Sequence, residues 1–191
     1  MSGVRCGHNG AMPADDLATR IFAVSHLEGT FRLRSGLVAS EYFDKYRFES
    51  DPTLLRAIAE VAATRIPPGT DGLAGLELGG VPIATALSML TGLPAYFVRK
   101  EAKKYGTERQ VEGGEVTGLH LLVVEDVVTS GGQVVLSTDD LRAVGAVVTD
   151  ALCVIDRESG ATATLAASGI ELHALFTMSD LSAGGPPPRP H

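Results

Sequence analysis

The chain has 191 residues, 45% of them hydrophobic and 20% charged, with a formal net charge of −7. That length suits one domain with a substantial core rather than two. The acidic balance argues against a general nucleic-acid binder, which needs a basic face, and no apolar run is long enough to span a bilayer.

The first dozen residues, MSGVRCGHNGAM, carry three glycines and no hydrophobic period. Residues 1–12 are therefore expected to be disordered, with Met12 a candidate natural start. They lack the basic-then-apolar pattern of a signal peptide, so a cytoplasmic address is expected. DDLATRIFAVSHL, from Asp15, reads as an amphipathic helix. Short strands are expected over 30–33 and 41–43. DPTLLRAIAEVAATRI is a helix whose cap is Asp51 and whose first turn holds Pro52.

LAGLEL (73–78) reads as a buried strand, VPIATALSML as a helix after a Gly-Gly turn, and PAYFV as a strand. The stretch from Arg99 through Gly114 reads as a long loop. LHLLVVED is a strand, 131–144 a helix, AVVTDALCVID a strand, ATATLAASG a short helix and IELHALFT a last strand. The tail GGPPPRPH (184–191) cannot pack as helix or strand. The two cysteines make no disulfide framework or metal cluster, and Cys153, inside an apolar run, reads as buried and inert.

Strand and helix alternate, and the strands are apolar throughout. That is the pattern of an α/β fold whose mainly parallel central sheet is covered by helices on both faces. Such sheets bind ligands beyond the carboxyl ends of their strands. ELGG, RKEAKKYG, EDVVTSGG and DRESG each fall at such an end.

In EDVVTSGG, Glu125 and Asp126 end the apolar run, so both carboxylates are expected at the solvent edge. They can accept hydrogen bonds from two vicinal hydroxyls, as on a ribose, or hold Mg²⁺ directly or through water. The turn from Val127 and Val128 through Thr129, Ser130, Gly131 and Gly132 offers hydroxyls, backbone N–H groups and a helix N-terminus, which favour an anion. A sugar 5′-phosphate satisfies both halves; an exposed acidic strand end with an ordinary cap is the plainer alternative. ELGGVP (77–82), with Glu77, Leu78, Gly79 and Gly80, is by itself only a tight strand-to-helix turn. The segment 99–109 holds five of the sixteen Lys and Arg residues; such a run is usually a solvated face.

The hydrophobic run, two acids, two aliphatics, Thr, small residue and Gly resemble the binding motif for phosphoribosyl pyrophosphate (PRPP) of the type I phosphoribosyltransferases. RKEAKKYG resembles the catalytic loop of the orotate phosphoribosyltransferases within that family. FRLRSGLVASEYFDKY (31–46) is similar to their N-terminal pocket segment, and VIDRESG (154–160) to their strand-end Asp-Arg segment. The resemblance covers residues 28–179.

It implies the type I phosphoribosyltransferase fold with a small N-terminal hood (13–50) over a core (51–183). It also implies transfer of phosphoribose from PRPP to orotate with Mg²⁺, and a homodimer with shared sites. In that reading Lys103, Glu125 and Asp126 are catalytic. PRPP is held by Glu77, Leu78, Gly79, Gly80, Arg99, Lys100, Lys103, Lys104, Tyr105 and residues 125–132, and Mg²⁺ comes with PRPP without direct protein ligands. Orotate meets Arg34, Tyr42, Phe43, Thr129 and Arg157. Two positions depart from the family pattern. Gly79 stands where many members carry lysine, so the backbone or the basic loop must supply more of the pyrophosphate contact. Tyr105 stands where histidine is usual and cannot become cationic. A phosphoribosyltransferase for a purine or uracil, and a non-catalytic PRPP- or nucleotide-binding regulator, are the alternatives.

Overall fold

The computed structural model describes residues 14–32, 36–100 and 110–183. Eight strands and seven helices are found among them. The centre is a six-stranded sheet built from β3 (Gly72–Leu76), β4 (Ala95–Val98), β5 (Val111–Glu112), β6 (His120–Val128), β7 (Val147–Asp156) and β8 (Glu171–Thr177), in the order β5-β4-β3-β6-β7-β8. All pairings are parallel except β4 with β5. Every residue of β3 is buried, as a strand covered on both faces requires.

Side-chain alternation divides the core into two layers. Leu122 and Val124 of β6 point into one cluster with Leu73, Ile58 and Leu87. Leu121 and Val123 point into the other with Leu141 and Leu165. The first layer is closed by α3 (Pro52–Ala63) and α4 (Gly80–Thr91), the second by α5 (Gly132–Ala143) and α6 (Ala161–Ala167). Helix α3 begins as its sequence dictates: the Asp51 carboxylate accepts the N–H groups of Thr53 and Leu54 at 2.8 and 3.1 Å, and Pro52 opens the first turn.

At the N-terminal end, α1 (Ala14–Ser25) buries Leu17, Ile21 and Phe22 in the first layer. It stops at Ser25, two residues before the expected end, because His26 begins a strand. The strands expected at 30–33 and 41–43 form one antiparallel hairpin, β1 (His26–Arg32) with β2 (Val38–Phe43). Asp44 N–H donates to the Ser25 carbonyl at 2.8 Å and ties the base of the hairpin to the helix end.

Two short helices have no counterpart in the periodicity reading, α2 (Tyr46–Ser50) and α7 (Met178–Ala183). Each has six residues or fewer, too few to display a helical period. The stretch read as a loop through Gly114 contains β5, whose two residues pair with Phe97 and Val98. Strand β3 ends at Leu76 rather than 78, and the turn starts earlier. Residues 1–13, 33–35, 101–109 and 184–191, with the expected disordered ends, lie outside the described residues. Cys153 is fully buried, and burial pushes its thiol well above the usual range.

Asp51→Ala removes the α3 cap. A loss of about 1 kcal/mol is expected, seen as a lower urea midpoint with an unchanged slope.

Candidate active site

Parallel strands deliver their carboxyl ends to one edge. Here that edge gathers 77–80 after β3, Arg99 and Lys100 after β4, the end of β6 with 129–132, and 157–160 after β7. Glu77 and Lys100 are joined directly: the Glu77 carboxylate accepts the Lys100 N–H at 3.1 Å. Arg99 is half-buried; its N–H donates to the Gln110 carbonyl at 2.9 Å, and its carbonyl accepts the Gln110 side-chain amide at 3.3 Å.

The acids correct one expectation. β6 does not end at Glu125 and Asp126 but runs on to Val128, since Val127 and Val128 pair with Ile155 and Asp156 of β7. Asp126 is therefore inside the sheet and fully buried, not at the solvent edge. Glu125 is half-buried, and its Oε1 accepts the Asp126 N–H at 3.0 Å. Val127 and Val128, expected in the turn, are strand residues, though both still line the pocket beside it.

That pocket has a volume of about 150 Å³ and is lined by Glu125 and by residues 127–134. Thr129 and Ser130 are exposed. Gly131 sits at φ 82° and precedes the first turn of α5, which has no side-chain cap. A left-handed residue favours glycine here, and a Cβ would also press on Leu165 at 3.2 Å. An uncapped helix N-terminus beside two free hydroxyl side chains can receive a phosphate.

On the other side of Asp126 the backbone of 79–80 comes unusually close. A Cβ on Gly80 would lie 2.1 Å from the Val124 carbonyl oxygen, and one on Gly79 would lie 1.8 Å from Asp126 Oδ2. The Asp126 carboxylate thus occupies the space a side chain at 79 would need. Its other oxygen, Oδ1, accepts the Val127 N–H at 2.6 Å.

Two members of the cluster around Asp126 escaped the sequence reading, Lys45 and Glu49. Lys45 Nζ stands 2.6 Å from Asp126 Oδ2. Glu49 is 7% exposed. Lys45 immediately precedes α2 and Glu49 lies four residues on within it, and the fully buried Phe48 anchors that helix in the core. The signal was an acid next to a core phenylalanine, in a segment too short to be recognised as a helix.

Burial pushes the Glu49 and Glu125 carboxyls up to about 9, reinforced by hydrogen bonding to Asp126 and by its charge. Burial acts on Asp126 in the same sense, but hydrogen bonds from Glu125, Glu49 and Lys45 outweigh it and hold Asp126 below its usual range. Burial pulls Lys45 down, and its bond to Asp126 more than reverses that. The cluster therefore concentrates its negative charge on Asp126 and meets it with one ammonium.

Arg157 is exposed at the end of β7, and its N–H donates to the Val128 carbonyl at 2.8 Å, which sets it beside the Thr129 turn. Tyr42 is half-exposed and stacks on Phe31, with ring centroids 5.5 Å apart, while Phe43 packs on the core. Arg34, Lys103, Lys104 and Tyr105 lie outside the described residues.

Such an edge can hold one anion at the α5 turn, a second at the 77–80 turn, and a polar group between them. The family model for the phosphoribosyl transferase domain matches residues 47–167. The chain is similar to an orotate phosphoribosyltransferase of Nocardioides sp., 51% identical over 167 residues, covering 87% of this chain and 93% of that one. It is 45% identical to that of Halobacterium salinarum over 168 residues, with 87% and 95% covered. Among solved structures, Mycobacterium tuberculosis orotate phosphoribosyltransferase in complex with PRPP superposes with a TM-score of 0.76 at 28% identity, covering 88% of this chain and 98% of that one.

The raised carboxyls make stability depend on pH. Glu49 and Glu125 keep protons in the folded chain that the unfolded chain releases above about pH 4.5. Their stabilisation is complete below that pH and is lost as pH rises towards 9. The melting temperature is expected to fall between pH 5.5 and 8.5 (buffers chosen within the window), and Glu49→Gln should flatten the decline in a calorimetric series.

Proposed function

The chain belongs to the phosphoribosyl transferase family and, within it, to the orotate phosphoribosyltransferases, and from that premise we propose how its own residues carry the reaction. The enzyme transfers the phosphoribosyl group of PRPP to orotate, giving orotidine 5′-monophosphate and pyrophosphate, a step of pyrimidine (UMP) synthesis. The observation that carries the residue assignments is the pocket between Glu125 and the uncapped start of α5.

The reaction is a substitution at the anomeric carbon. Orotate N1 supplies the electron pair of the new bond, and pyrophosphate leaves with that of the old one. The transition state resembles the oxocarbenium ion of glycoside hydrolysis, so no protein nucleophile is required. The protein's work is to position two anions and stabilise departing charge.

In this reading Thr129, Ser130, Gly131 and Gly132 receive the 5′-phosphate. Glu125, lining the same pocket, faces the ribose hydroxyls, and Asp126 fixes the floor behind it. Residues 77–80 face the pyrophosphate with backbone N–H groups, and Arg99, Lys100, Lys103, Lys104 and Tyr105 close over it. The tie between Glu77 and the Lys100 N–H supports this, because it roots the basic segment beside that turn. Arg157, Arg34, Tyr42 and Phe43 border orotate; a guanidinium fork suits its carboxylate.

Mg²⁺ fits this edge only as a companion of PRPP. Asp126 is fully buried, with Lys45 against one oxygen and the Val127 N–H on the other, so it is not presented to the pocket as a direct metal ligand. Magnesium commonly keeps its waters and binds through substrate phosphates, and Glu125 can meet it across a water. Bound there, it offsets charge on the leaving pyrophosphate. We further place residues 13–50 as the hood over the base, and the working unit as a homodimer in which Lys103 serves the partner's site. PRPP, a highly charged sugar phosphate, does not cross membranes unaided, which supports a cytoplasmic address.

The test is loss of orotate ultraviolet absorbance with PRPP and Mg²⁺. Asp126→Asn is expected to slow turnover at least tenfold, roughly 1.4 kcal/mol of transition-state stabilisation; unchanged kinetics would remove Asp126 from the site. Mixing inactive Lys103→Ala and Asp126→Asn proteins should restore part of the activity. No recovery after confirmed subunit exchange rules out shared sites.

A further inference from the structure

Lys45 is assigned no part by the motifs that identify this family, yet it stands at the centre of the site. Its ammonium is 2.6 Å from Asp126 Oδ2. The same oxygen is 1.8 Å from the point where a Gly79 Cβ would stand. Both separations end on one atom, so the Lys45 ammonium stands beside the place from which a side chain at 79 would emerge. The 77–80 turn, Glu-Leu-Gly-Gly, carries no cationic side chain of its own.

We propose that Lys45, delivered by α2, supplies the pyrophosphate-binding cation that the 77–80 turn lacks at Gly79, with buried Asp126 as the carboxylate that positions it. This rests on the PRPP reading of the site.

Three observations separate this role from a purely structural ion pair. Asp126 is fully buried, whereas the Lys45 side chain keeps 34% exposure. An ammonium has three donors, and Asp126 is the one carboxylate that pairs with it among the described residues. The glycine also fits the arrangement. Any side chain at 79 would displace the Asp126 carboxylate, and with it the anchor of Lys45. Glu49, within α2, is held mainly protonated by burial and by Asp126, so it does not compete for the ammonium at neutral pH. A substrate anion can then approach a cation already fixed in place, without first ordering a long flexible side chain.

The experiment separates the two anions of PRPP. Binding of pyrophosphate (with Mg²⁺) and of ribose 5-phosphate is measured by titration calorimetry on the full chain, for wild type, Lys45→Met and Lys45→Arg. Lys45→Met is expected to weaken pyrophosphate at least tenfold while ribose 5-phosphate stays within about twofold. Lys45→Arg should recover most of the pyrophosphate affinity. Pyrophosphate affinity within twofold of wild type in Lys45→Met overturns the proposal. Equal loss of both ligands also overturns it, since that marks a structural role. If Lys45→Met does not fold, Lys45→Gln takes its place under the same two criteria. Wild-type protein that binds neither ligand refutes the PRPP reading itself, a result distinct from failure of the Lys45 assignment.

Discussion

The carboxyl edge of this sheet is organised around one buried charge. Asp126 has no exposure, sits in the middle of a six-stranded sheet, and stays ionised because Lys45, Glu49 and Glu125 all turn towards it. A lone carboxylate there would be expensive. Each neighbour that lowers the cost also fixes a piece of the site. Lys45 and Glu49 bring α2, Glu125 faces the pocket at the α5 turn, and Gly79 brings the 77–80 backbone. The polar cluster thus joins an N-terminal helix to the loops after β3 and β6, segments far apart along the chain.

Two close approaches make this possible. Gly80 lets the first turn of α4 touch the backbone of β6 at Val124, and Gly79 leaves room for the Asp126 carboxylate. Without them α4 would stand away from the sheet, and the 77–80 and 129–132 turns would separate. The spacing of the two turns therefore depends on the core packing of α4, where Ile83, Ala84 and Leu87 are fully buried. Function at this edge rests on a packing decision made behind it.

Much of this was legible in the residues. The apolar strands, the Asp51-Pro52 helix start and the turns at 77–80, 129–132 and 157–160 lie where the pattern put them, while residues 101–109 of the basic segment lie outside the described residues. Those signals are local: a cap, a period or a turn motif needs only its neighbours. What the sequence hid was long-range. Nothing around Asp126 shows that its strand continues, because two valines suit a turn or a strand equally, and pairing with Ile155 and Asp156 decides between them. Nothing around Lys45 shows that it faces Asp126, eighty-one residues later. α2 is too short for a hydrophobic period, and β5 has only two residues, held by its partner β4.

The glycine at 79 has a consequence for how this chain can change over evolutionary time. A substitution there expels the Asp126 carboxylate, which unseats Lys45, so a lysine gained at 79 first loses the ammonium already present. Positions 45, 79 and 126 are thus physically coupled, and a change at any one of them alters the setting of the other two.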